Sequence, residues 1–251
     1  MIAVLSPAKN MRMVYRPSLT LTMPAHMDRT MTLVRALRAY APHELESVLH
    51  TSFALSLKAY DAYQRFDPAQ KGSAAVLAFE GLAYRHLCAR DWSDADLAFA
   101  QQHLYMLSAL YGALRALDGI QPYRLELMGK WRPGGHSLYQ FWGDTMYRDV
   151  FASGQAVINL CSREYEKTLR PFLQPGDRMV TCDFLVNRWG KMKMLPTAAK
   201  MARGSMVRYL IQNRLEEPEQ LKAFDEAGFA FVDALSSADH YTFLQKQEDA
   251  T

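Results

Sequence analysis

The amino-acid sequence predicts an α/β fold: a single domain over residues 1–251, with a mixed sheet surrounded by helices. Three observations carry this. Two short apolar runs, Ile2-Ala3-Val4-Leu5 and Ala156-Val157-Ile158-Asn159-Leu160, each stop abruptly in a polar turn and read as buried strands. Long stretches between and after them show the three-to-four-residue apolar spacing of helices. No repeat, low-complexity tract or Gly/Ser-rich linker divides the chain. The strands and helices interleave without a strict βαβ rhythm, which points to a mixed sheet.

The elements follow in order. After the first strand, Leu33, Val34 and Leu37 give helical spacing to residues 30–40, and Ala41-Pro42-His43 breaks that helix. Two more helical pieces, 44–49 and 54–63, complete a helical hairpin region. Residues 74–79 read as a strand. Ser93 and Asp96 form a capping box that opens a long, nearly all-apolar helix through Leu110. Pro122 forces an extended entry to Tyr123-Arg124-Leu125-Glu126, which alternates apolar and charged residues. Residues 178–186 and 191–195 flank Asn187-Arg188-Trp189-Gly190 as a hairpin with a four-residue loop. Thr197 caps a helix to Leu215, and strands near 229–235 and 241–244 finish the chain.

At 251 residues and 49% hydrophobic content, the chain can bury a sizeable core without a metal or disulfide staple. Its apolar runs fall far short of the roughly 20 residues that span a bilayer, and its N-terminus lacks the pattern of a signal peptide. No membrane association and a cytoplasmic location are the expectations. Cys88, Cys161 and Cys182 lie far apart without CxxC spacing, so reduced thiols are expected rather than a disulfide framework or a zinc site. The seven histidines show no ligand spacing with carboxylates or cysteines, so no metal and no cofactor are assigned.

The formal net charge of +3 is unevenly spread. Residues 1–38 hold six basic residues against Asp28 alone, whereas residues 216–251 hold nine acids against Lys222 and Lys246. A positive face that attracts an anion, with an acidic C-terminal edge, fits this asymmetry, as does simple solvation.

The candidate site residues come from strand exits, one strand face and one helix face. Ser6 and Lys9 follow the first strand, where open α/β sheets bind ligands, although a turn cap and a solvated lysine explain them as well. Cys161-Ser162-Arg163 echoes that exit after the second strand. Alternation places Arg124 beside Glu126; an ion pair is the ordinary reading, and a phosphate-binding arginine the functional one. At 100° per residue Lys200, Arg203 and Arg214 fall on one helix face, opposite Ala198, Ala202, Met206 and Tyr209. Gly204, in the interior of that helix, admits the close approach of another backbone or a phosphate. The aromatic run 139–144 reads as core packing with a satisfied indole. Ser6 and Lys9 also have the spacing of an SxxK nucleophile pair, but Pro7 withholds the helix that would bring the lysine under the serine.

Several strings are similar to those of the YaaA family of bacterial peroxide stress proteins: SPAK at 6–9, residues 99–127 with QPYRLEL at their end, LYQFWGD at 138–144, VINLCSREY at 157–165, AKMARGSMVRYLIQNRL at 199–215 and EPEQLKAF at 217–224. The resemblance spans nearly the whole chain. It implies a single-domain α/β protein of unusual fold with a positively charged cleft, a helix-hairpin-helix-like element, binding to double-stranded or distorted DNA, and a role in limiting iron-driven oxidative damage. By matched motif, Ser6, Lys9, Arg115, Gln121, Arg124, Glu126, Tyr139, Asn159, Ser162, Tyr165, Lys200 and Arg203 stand where the family carries its polar residues. The chain departs from that pattern at residues 40–44, which lack the Gly-rich turn of a helix-hairpin-helix, and over 177–195, which align poorly.

Two functions are expected from this set, and an interaction protein is the third class it argues against. One is DNA binding in the peroxide response, with Lys9, Arg115, Arg124, Asn159, Ser162, Lys200, Arg203 and Arg214 holding the nucleic acid or anion. The other is an enzyme acting on a nucleobase, nucleotide or similar small anion, with Ser6, Lys9, Glu126 and Tyr165 as its catalytic group. The oligomeric state is not legible.

Overall fold

The computed structural model describes residues 1–245 of the chain. The acidic C-terminal edge expected from sequence is therefore described only in part, since Lys246, Glu248 and Asp249 lie outside these residues.

The chain begins with β1 (Ile2–Leu5) and the short β2 (Asn10–Met11), followed by the helices α1 (Met27–Arg38), α2 (Pro42–Leu49) and α3 (Phe53–Arg65). Pro42 opens α2 in the first helical turn, where its missing N–H costs nothing. Residues 74–79, expected as one strand, are instead the end of β3 (Ser73–Ala74), the single turn α4 (Ala75–Ala78) and the start of β4 (Phe79–Glu80). All six are buried, so no polar alternation marks the turn. Next come α5 (Leu82–Leu87) and α6 (Asp94–His103), the latter opened by the Ser93–Asp96 capping box.

The long helix expected from 93 to 110 stops at His103, and the chain continues as β5 (Leu104–Ser108). A central parallel strand is apolar on both faces, so its sequence cannot be told by periodicity from a buried helix. Then follow β6 (Gly112–Arg115), β7 (Gly119–Ile120), α7 (Leu138–Trp142), α8 (Thr145–Phe151), β8 (Val157–Leu160) and α9 (Arg163–Glu166). Trp142 is buried and its indole N–H donates to the Ala109 carbonyl, in keeping with the core packing expected of the aromatic run.

β9 (Met179–Arg188) and β10 (Lys191–Lys193) form the expected hairpin. Arg188 pairs with Lys191, which leaves a two-residue turn, Trp189-Gly190, rather than four loop residues. Both turn residues have positive φ, the requirement of the tight turns whose twist matches a hairpin. The helix α10 (Pro196–Gln212) opens at Pro196 without a Thr197 cap, and the chain closes with β11 (Phe229–Phe231) and β12 (His240–Gln245).

The principal sheet has eight strands, in the order β11-β12-β9-β8-β1-β5-β6, with β10 paired to β9. Its five central strands are parallel; β6, β10 and β11 pair antiparallel at the margins. The sheet is thus mixed as expected, but its centre is more regular than the sequence suggests. Numbered by their order along the chain, the parallel strands run 2-1-3-4-5 across the sheet, a common doubly wound order. In that order the chain leaves the first strand in one direction and returns to the other side. The switch falls between β1 and β8, where a crevice opens beyond the carboxyl ends of the strands.

Candidate functional site

The crevice between β1 and β8 holds a cleft of about 440 Å³, within the usual range for small-molecule sites. Ser6 leaves β1 and Ser162 leaves β8, and the two meet: the Ser162 backbone N–H donates to Ser6 Oγ at 2.9 Å, and the two hydroxyl oxygens lie 3.3 Å apart. Tyr84 of α5 donates its hydroxyl to the Ser6 carbonyl at 2.9 Å. These bonds fix both strand exits at the cleft floor. Ser6 is therefore engaged by Ser162, while Lys9 turns elsewhere, so the SxxK pairing does not form.

Lys9 Nζ lies 2.8 Å from Glu126 Oε2, and Arg124 lies 4.0 Å from the other oxygen of the same carboxylate. Tyr123 and Leu125 are buried while Arg124 and Glu126 are only partly so, which bears out the alternation, although residues 123–126 pair with no neighbouring strand. Arg124 Nε is buried without a hydrogen-bond partner. Beside Glu126 stands Glu164 of α9, which accepts the Met128 N–H at 3.1 Å. Burial raises the Glu164 carboxyl above the ordinary glutamate range; Glu126 adds to this and Lys9 opposes it. Its neighbour Tyr165 lines the same cleft, its phenol pushed well above the ordinary range by burial.

The other end of the cleft belongs to α10. Lys200 and Arg203, one turn apart, both line it, and Lys200 is exposed. Arg203 is mostly buried, and desolvation lowers its guanidinium from the ordinary arginine range. The carboxylates that act on it are Asp183 and Glu166. Each has another partner: Asp183 lies 3.2 Å from His240 Nε2, and Glu166 pairs with Arg170. Among the described residues no carboxylate forms an ion pair with Arg203, and its Nε is buried without a partner. A desolvated cation with an unfilled N–H is costly to fold.

Gly204 explains how the arginine reaches this position. A Cβ there would lie 1.9 Å from the Ala83 carbonyl oxygen, so only glycine lets α10 press onto α5 and carry Arg203 to the cleft. The close backbone approach expected at Gly204 is thus made by α5.

Ser6, Lys9, Glu126, Ser162, Tyr165, Lys200 and Arg203 are therefore gathered in one place, with Arg124 joined through Glu126. Three expected residues are not. Asn159 is 1% exposed and structural, accepting the Cys161 N–H and donating to Thr181. Arg115, on the antiparallel edge strand β6, lies over the Tyr105 ring and lines a separate hollow with Thr22 and Asp118. Arg214 does not share the Lys200–Arg203 face, because it lies beyond the end of α10 with φ of 52°. There it pairs with Asp96 at 2.7 Å and stacks over Phe99, tying the chain to α6. Gln121 and Tyr139, from the family-matched set, serve as braces: Gln121 bonds the 67–70 turn, and Tyr139 donates to the Glu164 carbonyl.

Sequence reasoning passes over Glu164, Glu80 and Tyr84, all on the cleft wall. Glu164 is within its reach, since it lies two residues past Ser162, but helical spacing in so short a turn carries no phase. Cys161 and Cys182 are buried thiols raised to about 12, and Cys88 is half-buried. Among the described residues no group of three or more metal-ligating side chains gathers, and no helix is long and apolar enough to cross a membrane.

Comparison with known proteins places this geometry in a family. The family model described as Peroxide stress protein YaaA matches residues 1–235. A UPF0246 protein of Ralstonia nicotianae is 40% identical over 256 residues, covering 98% of this chain and 99% of its own length. One from Acaryochloris marina is 39% identical over 253 residues, covering 98% and 100%. Another from Agathobacter rectalis is 33% identical over 244 residues, covering 97% and 98%.

Proposed function

The chain belongs to the peroxide stress protein YaaA family, and from that premise we propose that its cleft takes up a nucleotide, nucleobase or similar small anionic substrate and moves a proton on it. The observation that carries this reading is Arg203: a half-buried, largely desolvated arginine that lines the crevice at the sheet's switch point and forms no ion pair with a carboxylate among the described residues. Arg203 and Lys200 hold the anion. Glu126, positioned by Lys9 and Arg124, is the proton acceptor, and the raised Glu164 is its counterpart; two carboxyls with different environments divide acid and base roles. Tyr165, kept protonated by burial, supplies a donor.

The test is Glu126→Gln. Because Lys9 is 63% exposed, its pair with Glu126 contributes at most about 1 kcal/mol, so the melting temperature should hardly move. Turnover of the nucleotide or base should be lost with binding nearly intact. A large fall in melting temperature, with turnover unchanged, would make Glu126 structural and remove the proposed base.

DNA binding is a second reading, favoured by the β9–β10 hairpin. Trp189 at its turn is 99% exposed between Arg188 and Lys191, and residues 184–215 hold seven cations and no acid. An exposed aromatic among cations suits stacking on an unpaired base of distorted DNA. Substituting Arg188 and Lys191 by Ala should lower the slope of log affinity against log salt by roughly 0.9 for each phosphate that is no longer neutralised. An unchanged slope would take the hairpin out of any DNA interface.

A further inference from the structure

Among the described residues the Arg203 guanidinium makes one hydrogen bond, and its acceptor is a sulfur. Nη2 donates to Sδ of Met194 at 3.9 Å, across the link between β10 and α10. A thioether is a weak acceptor, so the contact positions the guanidinium without satisfying it. Nε is enclosed, so an anion gripped at two points must use the two terminal nitrogens, and Met194 already stands at one of them. Met194 is 38% exposed and Met192 45%, at the foot of a hairpin whose turn residue Trp189 is open to solvent.

We propose that Met194 is a modification site: hydrogen peroxide oxidises it to the sulfoxide, and the new oxygen takes up the Arg203 guanidinium and withdraws it from anions in the cleft. The oxidant belongs to the chemical class in the family's description. The thioether sulfur attacks one peroxide oxygen, the S–O bond forming as the O–O bond breaks. The other oxygen leaves as water with both peroxide protons; sulfur gives up an electron pair and the peroxide accepts it. The spacing suits one inserted oxygen. An S–O bond of about 1.5 Å and an N–H···O contact of about 2.9 Å span the 3.9 Å from Sδ to Nη2 when the angle at oxygen is about 120°, near a lone-pair direction. The sulfoxide oxygen is polar where the thioether was not, and its bond to a cation is charge-assisted. Held by the chain itself, it competes with a dissolved anion at high effective concentration. Methionine sulfoxide reductases restore the thioether, which makes the change reversible.

The effect on anions rests on the anion-binding reading of the cleft, and two measurements keep them apart. Peptide mass spectrometry after graded peroxide should show Met194 gaining one oxygen alongside Met192. In calorimetric titration, orthophosphate affinity of the parent should fall at least fivefold in step with that gain and return after treatment with both reductase classes. Met194→Leu should not respond to peroxide, and Met192→Leu should respond as the parent does. The second measurement needs no anion. After peroxide, the parent should melt about 2 °C or more higher relative to Met194→Leu than it does before, and Arg203→Leu should abolish this gain. If orthophosphate binds neither form but the Arg203-dependent gain is present, the sulfoxide contact stands and the anion reading falls. Met194 remaining a thioether where Met192 is oxidised, or no gain in melting temperature, would overturn the modification site. Equal orthophosphate binding by the reduced and the Met194-oxidised parent would overturn its hold on the cleft.

Discussion

Arg203 sets an expectation that runs against the usual direction of mutation. A buried guanidinium that no carboxylate neutralises costs stability, so replacing it with a side chain of similar length and no charge should relieve that cost. Arg203→Met is expected to raise stability by about 1 kcal/mol or more while abolishing anion binding. Differential scanning calorimetry beside a binding assay checks both; a fall in stability would mean that the guanidinium is satisfied within the protein. Glu164 gives a pH signature. Its folded-state pKa is raised, so between the ordinary glutamate value and the raised one the folded state binds more protons than the unfolded, and stability falls as pH rises through that window. Glu164→Gln should flatten this part of the stability curve and leave the protein more stable at neutral pH. Lys200 and Arg203 are legible from the sequence because they share a helical phase. Arg214 misleads because phase has no meaning past the end of a helix, where the backbone turns left-handed.

α10 and α5 pack backbone against backbone, and Gly204 makes that approach possible. Gly204→Ala should destabilise by roughly 3 kcal/mol, since the atoms the new Cβ would meet at Ala83 are backbone and cannot turn aside. In a chain of this size that is on the order of 6–12 °C of melting temperature. A variant that melts like the parent would show that the two helices separate at little cost. β5 shows why element type is harder to read than element position. Leu104 to Ser108 carry no polar alternation because the strand is covered on both sides, and their apolar run follows α6 with no breaking residue between them. The hairpin is readable for the opposite reason: its long strand β9 alternates, β10 is exposed throughout, and Trp189-Gly190 sits between them. Only its loop length escapes the sequence, because Arg188 tolerates the last ladder position as easily as a loop.

At the scale of the whole molecule, the strand order 2-1-3-4-5 turns scattered residues into one site. Local spacing can propose Ser6 and Ser162 separately, but their adjacency depends on β1 and β8 being neighbours, a long-range pairing that no local pattern encodes. The same sheet buries Cys161 and Cys182, and burial holds both thiols at about 12. Since the thiolate is the reactive form, iodoacetamide at neutral pH should leave both unmodified in the folded protein and label them only on unfolding. Prompt labelling of either, read by mass spectrometry, would show that the sheet opens at its carboxyl edge. The central claim is that the switch-point crevice holds an anion on Arg203. A crystal structure grown in the presence of a nucleoside monophosphate tests it most directly. The expected result is a phosphate oxygen within about 3 Å of a terminal guanidinium nitrogen of Arg203, inside the cleft that Lys200 also lines. A structure with the nucleotide stacked on Trp189 and the cleft empty, or with Arg203 Nε bonded to another protein group, would contradict it.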